Sequence, residues 1–556
     1  MTAYYGFNQL ELQDEDLKEY QVWIGDIVHT WPPYSPLSTC ARGGTLQYAM
    51  SYGAETLSLP GSKGWQKRVV DGLAYLAIIE PKPEEVPERK KVFRERIKPY
   101  IENWDELWNK EVEETSAVLQ PFKEFDLERA TNIELYTCWE DFLFLCWHKL
   151  WGQHFLWMYA AFILFTEFRG ICQKLLGITP QDPVFKKLMT GFDTLVLRFD
   201  RELWRLGNRA KELGVDSIFL TTEDDEEVLS KLEQTDAGQK WLGEYREFLK
   251  LWGWRCNRNE EWYNNPSWIE KPSLGVSMIK SAITKGGAFA VDMGFERFVK
   301  EREEAEKEVI SRVPTEQKEW FEKLMNCAQR AGVFSEDHNF YYDMAYTSLG
   351  RNISVELGKR FRQAGAIDDS EDIYFLHPDE IRKAAIPIER ANLRPYVNKR
   401  RVEWKAAHKL EPKPFFGNIE AVGELAMKDP IIGVIAELPV VKPELKADLY
   451  GSSSAPGVVE GIARIIPDEL HFRELQPGEI LIATTTTPLW TPLFGIAGGV
   501  VTDAGGNLSH AVIVGREYGL PIVAGTLEGT KKIKTGQRIR VDGNMGAVWI
   551  LSQGEE

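Results

Sequence analysis

The stretch Thr502-Asp-Ala-Gly-Gly-Asn-Leu-Ser-His510-Ala-Val-Ile-Val-Gly-Arg-Glu517 decides how this chain is read. Its periodicity predicts a short apolar strand over Gly499–Thr502, a loop with paired glycines, and one histidine opening a helix. The first turn of a helix carries unpaired N–H groups and the positive end of the helix dipole, and both favour a bound anion. Gly505 and Gly506 let the backbone approach a phosphate closely and can take positive φ without strain. An imidazole so placed can attack phosphorus and hold the phosphoryl group. On residue type alone, a histidine at a helix start that simply caps or packs is the commoner reading, and it is the surrounding segment that points to phosphate chemistry.

Working outward, Gly451 to Leu551 alternates β-like runs with helical ones. The runs are Val458–Ile466, Ile480–Ala483, Gly499–Val501, Ile522-Val523, Ile539–Val541 and Val548–Leu551. They describe a compact α/β domain over 448–556. Before it, Ile435 to Leu449 carries Pro439 and Pro443 with alternating charges and no helical period. That reads as a stiff linker, assigned to 435–447. Proline-rich chain extends about 3 Å per residue, enough to carry a small domain a few tens of ångströms.

The segment around His510 resembles the phosphohistidine signature of the phosphoenolpyruvate-utilising enzymes. The matching positions are Thr502, Gly505, Gly506, Ser509, His510, Arg516 and Glu517, followed by Gly519-Leu-Pro-Ile-Val523. Ser454-Ala-Pro-Gly457-Val-Val-Glu-Gly461 and Val541-Asp-Gly543-Asn-Met-Gly546 are also similar to the swivelling domain of that family. The resemblance implies that His510 is the phosphorylated nucleophile and that Thr502, Gly505, Gly506 and Ser509 hold the phosphate. Within that reading Ser509 bonds the phosphate, Thr502 fixes the imidazole tautomer, and Arg516 is structural. Val512 and Gly515 stand where alanine is usual.

The 556 residues suggest two to four domains. A hydrophobic share of 43% beside 27% charged residues is that of an ordinary globular chain. With 67 basic and 84 acidic side chains the net charge is −17, which opposes binding to nucleic acid or to anionic membrane. Six scattered cysteines without Cys-x-x-Cys argue against a disulfide framework or a zinc site and fit a cytoplasmic protein. The N-terminus shows no signal peptide. Leu150 to Thr166 is the most apolar run but holds Gln153 and His154, and it reads as a buried helix.

Residues 1–110, with Trp31-Pro-Pro-Tyr-Ser-Pro-Leu37, Gly43-Gly44 and Pro60-Gly61, are expected to form loops and a few strands, with helices starting near Pro87. From there to 434 the pattern is mainly helical, broken at Pro314. The expected architecture is a multidomain α+β chain. A mixed part over 1–110 leads into a helical acceptor domain over 111–434, then the linker and the swivelling domain.

The N-terminal part is similar, more patchily, to rifampin phosphotransferase-like and phenylphosphate synthase-like dikinases. The shared elements are Trp31–Leu37, Gly253-Trp-Arg255, Asn265–Pro272, Glu336-Asp-His338-Asn-Phe-Tyr-Tyr, and Arg351 through Gly365 to Leu376. In such relatives this region binds the acceptor that takes phosphate from the histidine. His338, between Glu336 and Asp337, is the candidate general base, beside a helix-capping alternative. Arg255 and Arg351 are candidates to neutralise phosphoryl oxygens, or ordinary salt-bridge arginines; Glu336 and Asp337 complete the substrate set. A His148/His154 metal pair is disfavoured by a six-residue spacing, and no metal site is expected.

No Gly-x-x-x-x-Gly-Lys-Ser/Thr occurs, and neither an ATP-grasp sequence nor a phosphoenolpyruvate-binding barrel is read here. The resemblance therefore implies that ATP and Mg²⁺ are held by a partner ATP-grasp subunit. Its dikinase chemistry releases AMP and orthophosphate, and the acceptor is expected to be a phenolic compound, such as phenol or a hydroxyacetophenone, in aromatic or lignin-derived catabolism. The alternatives are an antibiotic phosphotransferase component and a noncatalytic phosphocarrier, the latter disfavoured by the long stretch before the linker.

Overall fold

The computed structural model describes residues 12–145, 149–256, 258, 261–285, 287–410, 413–435, 443–487 and 490–552. They divide into two compact units, each assembled from several stretches of chain. One comprises 1–160, 258–266 and 338–430; the other comprises 161–257, 267–337 and 431–556. The architecture is α+β, with a large helical part and a C-terminal sheet. Most of the proposed linker, 436–442, lies outside the described residues.

In the first unit a four-stranded antiparallel sheet runs in the order Trp65–Val70, Leu73–Ile78, Val22–Gly25, Phe415–Gly417. Trp23, Leu73, Tyr75 and Ala77 form its apolar face. The expectation of loops before Pro87 is corrected by a helix over Pro36–Leu57, which runs through Gly43-Gly44. Pro36 sits at the first turn, where its missing N–H costs nothing. Burial of Leu37, Ala41, Leu46, Ala49, Met50 and Ala54 outweighs the low helix propensity of the glycine pair. The hydroxyls of Ser35, which precedes the helix, and of Ser38, in its first turn, donate to the buried Glu261 carboxylate at 2.7 and 2.9 Å. The apolar run at 150–166 lies mainly in the helix Trp151–Leu176, long and apolar enough to span a membrane, but 72% of its most apolar 18-residue window is buried within the fold.

The second unit holds helices Leu195–Glu212, Asp236–Trp252, Gly287–Arg312 and Lys318–Asn339, whose last two residues belong to the first unit. Pro314 ends one helix before the next starts, as its missing donor requires. The C-terminal sheet has eight strands in the order Leu449–Tyr450, Ala547–Ile550, Arg538–Asp542, Val458–Ile465, Ile480–Ala483, Gly499–Thr502, Ile522–Ala524, Ser452–Ala455. Val458–Ile465, Ile480–Ala483, Gly499–Thr502 and Ile522–Ala524 pair in parallel, and the flanking strands are antiparallel. Ile480–Ala483 and Gly499–Thr502 are buried at every residue, as parallel strands covered on both faces must be. Ala463, Ile482, Val501, Val523, Ile539 and Val548 form the core that fixes the position of the loop after Thr502.

Candidate functional site

The loop 503–509 leaves the carboxyl end of a central strand, where parallel sheets present their ligand sites. It is tied at both shoulders. The N–H groups of Asp503 and Ala504 donate to the carbonyls of Ala483 and Thr484 at 3.1 and 2.9 Å. Thr526 donates to the Thr502 carbonyl from its N–H and from its hydroxyl, each at 3.0 Å. Gly505 takes φ 119°, and a Cβ there would stand 2.8 Å from Ser509 Oγ. Gly506 closes the turn with its carbonyl, which accepts Ser509 N–H at 3.0 Å. Ser509 is the extended N-cap of the helix His510–Tyr518, which ends on Gly519 at φ 68°.

His510 opens that helix, with its side chain 9% exposed. Its Nδ1 lies 2.8 Å from Oε2 of Glu336, whose side chain is 2% exposed. A carboxylate only accepts, so Nδ1 carries the proton and the lone pair of the neutral imidazole resides on Nε2. Nε2 is buried and has no hydrogen-bond partner among the described residues, and the same holds for Ser509 Oγ. Phe494 stands edge-on to the ring at 5.8 Å. The arrangement fixes the tautomer of an imidazole held at a helix N-terminus beside the glycine loop.

Glu336 therefore orients the histidine, a task assigned above to Thr502. The Thr502 hydroxyl is occupied with the Ala504 carbonyl at 2.8 Å and the residue is fully buried, so it shapes the loop instead. Arg516 is buried as well. It donates to the Asn507 carbonyl at 3.2 Å, and burial lowers its guanidinium to about 10 against the opposing charges of Glu517 and Glu336.

Neighbouring groups hold the same helix against the helical part of this unit. Ser335 Oγ donates to the Leu508 carbonyl at 3.0 Å. Both oxygens of Glu517 accept the Gly191 N–H at 2.9 Å, and burial pushes this carboxyl up to about 7. Tyr518 donates its hydroxyl to Asp200, whose carboxyl burial raises to about 6 despite that bond and the nearby Arg255. Arg255 lies over the Phe199 ring at 3.6 Å, fully enclosed, its guanidinium lowered to about 10 by desolvation. A buried arginine stacked on an aromatic ring beside Asp200 serves packing and charge balance.

The candidates at 336–338 diverge despite adjacency. Asp337 accepts the Leu195 N–H at 2.8 Å at the head of the helix Leu195–Glu212, and burial raises its carboxyl to about 7. His338 belongs to the first unit. Its Nε2 is 3.9 Å from Asp343 Oδ2, and its ring centroid is 4.9 Å from that of His154. His154, dismissed above with the His148 pair, thus has a partner that linear spacing did not indicate; His148 itself lies outside the described residues. Arg351 is a brace in the first unit, donating to Glu371 at 2.7 Å and to the Trp262 carbonyl.

A model for the rifampicin phosphotransferase fourth domain matches residues 154–336, and one for the PEP-utilising enzyme mobile domain matches 475–546. Glu336 closes the first match and His510 lies inside the second. Chondramide synthase of Chondromyces crocatus is 29% identical over 95% of this chain and 14% of its own length. The uncharacterized phosphotransferase YvkC of Bacillus subtilis is 28% identical over 72% of this chain and 47% of its own. A rifampicin phosphotransferase of Bacillus cereus is 31% identical over 60% of this chain and 37% of its own. The chain thus spans less than half the length of each of these relatives. With a mobile-domain match around a histidine presented on a glycine loop, and a second match over the helices it packs against, this chain is similar to the PEP-utilising enzymes over those two segments.

Proposed function

We infer that this chain is the phosphohistidine-bearing component of an ATP-dependent phosphotransferase. The observation that carries the reading is the His510–Glu336 pair, which leaves Nε2 as the nucleophilic nitrogen. In the first half-reaction ATP and Mg²⁺ are held by a separate ATP-grasp subunit. Nε2 forms a bond to phosphorus as a P–O bond of the nucleotide breaks, and with one water the products are AMP, orthophosphate and phosphohistidine. In the second, an acceptor hydroxyl attacks the phosphohistidine in line. An O–P bond forms, the P–Nε2 bond breaks, neutral imidazole leaves, and the hydroxyl proton passes to a base. Positioning and charge stabilisation supply most of the acceleration.

The acceptor is a phenolic hydroxyl, such as that of phenol or a hydroxyacetophenone. A phenol, with pKa near 10, needs only modest activation. His338 is the proposed base, and the aromatic residues around its partner His154 (Trp151, Phe155 and Tyr342) support an aryl ligand. The match to the rifampicin phosphotransferase fourth domain supports a second reading, in which the hydroxyl belongs to an antibiotic. Labelled ATP, with and without an ATP-grasp protein, tests both. Label on His510 that discharges to simple phenols supports the first, and discharge only to a rifamycin supports the second. Label that reaches no hydroxyl leaves a phosphocarrier.

A further inference from the structure

His154, His338 and Asp343 bring two imidazoles and a carboxylate to one point inside the first unit. One ligand atom from each lies within 4.8 Å of the others. His154 Nδ1 is 3.7 Å from Asp343 Oδ1, and His338 Nε2 is 3.9 Å from Asp343 Oδ2. Both separations exceed a hydrogen bond, whose heavy atoms stand about 2.7–3.2 Å apart. They approach the spacing around a metal ion, since tetrahedral ligands at about 2.1 Å lie about 3.4 Å from one another. The two histidines face different oxygens of Asp343, so a bidentate carboxylate, or a side-chain shift of about 1 Å at most, would close the set around one ion.

The surroundings favour a built site over a chance meeting of surface groups. The side chains of His154 and Asp343 are 4% and 9% exposed, and that of His338 is 13% exposed. Tyr342 stacks on the His154 ring at 5.0 Å with planes 12° apart, and Trp151 and Phe155 stand at 5.3 and 4.9 Å. Asp343 lies on a π-helical turn, Phe340–Met344, inserted between Lys318–Asn339 and Ala345–Gln363. Such turns shift the register of a helix and recur at functional sites. Here the turn sets Asp343 on the same side as His338, five residues earlier.

We propose that His154, His338 and Asp343 bind a divalent cation of the zinc class. Two imidazoles and one carboxylate are the donor set of catalytic zinc, and three protein ligands leave a coordination position for an oxygen ligand. In the setting of the proposed function, on which this part rests, that ligand is the acceptor hydroxyl. With the ion bound, His338 is a ligand in place of the general base named above: coordination raises the acidity of the hydroxyl, and its proton is released to solvent. Binding of the ion itself does not depend on that reading.

The test uses the full chain after chelator treatment, titrated with Co²⁺ and followed by its visible ligand-field absorption. One equivalent should produce bands that Zn²⁺ abolishes. His154→Ala, His338→Gln and Asp343→Asn should each weaken binding at least 100-fold, while His408→Ala, a histidine elsewhere in the same unit, should leave it unchanged. Circular dichroism of each variant identifies any that fails to fold, and the partly exposed His338 provides the variant least dependent on core packing. Absence of bands in the wild type, or bands that survive in a folded His338→Gln protein, would overturn the site. In a second arm, chain labelled on His510 is offered a phenol with and without Zn²⁺. Discharge that requires the ion supports its place in transfer, and equal discharge without it overturns that assignment. Stoichiometric binding with no discharge to any hydroxyl leaves the metal site standing and removes the phosphotransferase reading.

Discussion

Nδ1 of His510 and Oε2 of Glu336 meet at 2.8 Å, although 174 residues separate them. The pair joins the loop of the C-terminal sheet to the helix Lys318–Asn339. The carboxylate does for this imidazole what a buried aspartate does for the histidine of a hydrolytic triad: it selects the tautomer and the ring orientation.

His510→Ala should abolish acid-labile phosphorylation of the chain while leaving its fold intact. The helix N-cap, Ser509, stays in place, while Glu336 loses its imidazole partner along with the nucleophile. Labelling with ATP and the ATP-grasp partner, alongside circular dichroism, checks this. Undiminished label in the folded variant would refute the assignment.

Glu336→Gln should slow phosphorylation by on the order of 10³-fold with little change in structure. The glutamine amide donates where the carboxylate accepted, which drives the proton to Nε2 and removes its lone pair. Single-turnover labelling measures the rate, and a nitrogen-15 spectrum of the imidazole reports the tautomer. An unchanged rate would show that the pair has no part in catalysis.

Gly505→Ala should destabilise the C-terminal sheet domain by about 1–3 kcal/mol. The backbone there holds φ 119°, and the added methyl would press on Ser509 Oγ at 2.8 Å. Denaturant titration gives the stability, and labelling should fall in parallel because the same loop carries His510.

Glu517→Gln should change the pH dependence of melting in one direction. Burial pushes this carboxyl up to about 7, so the folded chain binds the proton more tightly than the unfolded chain does. Its contribution is fully present below the ordinary carboxylate range and is lost as pH rises towards about 7. Relative to wild type, the variant should gain melting temperature between pH 5 and 8. A difference that does not vary with pH would contradict the shift.

The C-terminal strands were legible because parallel strands buried on both faces are continuous apolar runs. Ile480–Ala483 and Gly499–Thr502 begin and end where their residues said they would. His510 was legible because a strand, a glycine loop and a helix start are local features. The helix Pro36–Leu57 was not: it hides a glycine pair, and its small and apolar residues give no clean stripe. Glu336 was singled out, but as a substrate ligand, since no local pattern encodes a contact across 174 residues. His154 was set aside because its spacing was weighed against His148, whereas its partners lie beyond residue 337.

The 9% exposure of the His510 side chain has a mechanical corollary. While the helix is seated on Gly191, Asp200 and Glu336, Nε2 is buried, and on the proposed function a nucleoside triphosphate reaches it only once the helix lifts. On that reading charging and seating alternate, like the two doors of an airlock, and water is kept from the phosphoryl bond whenever the inner door is shut.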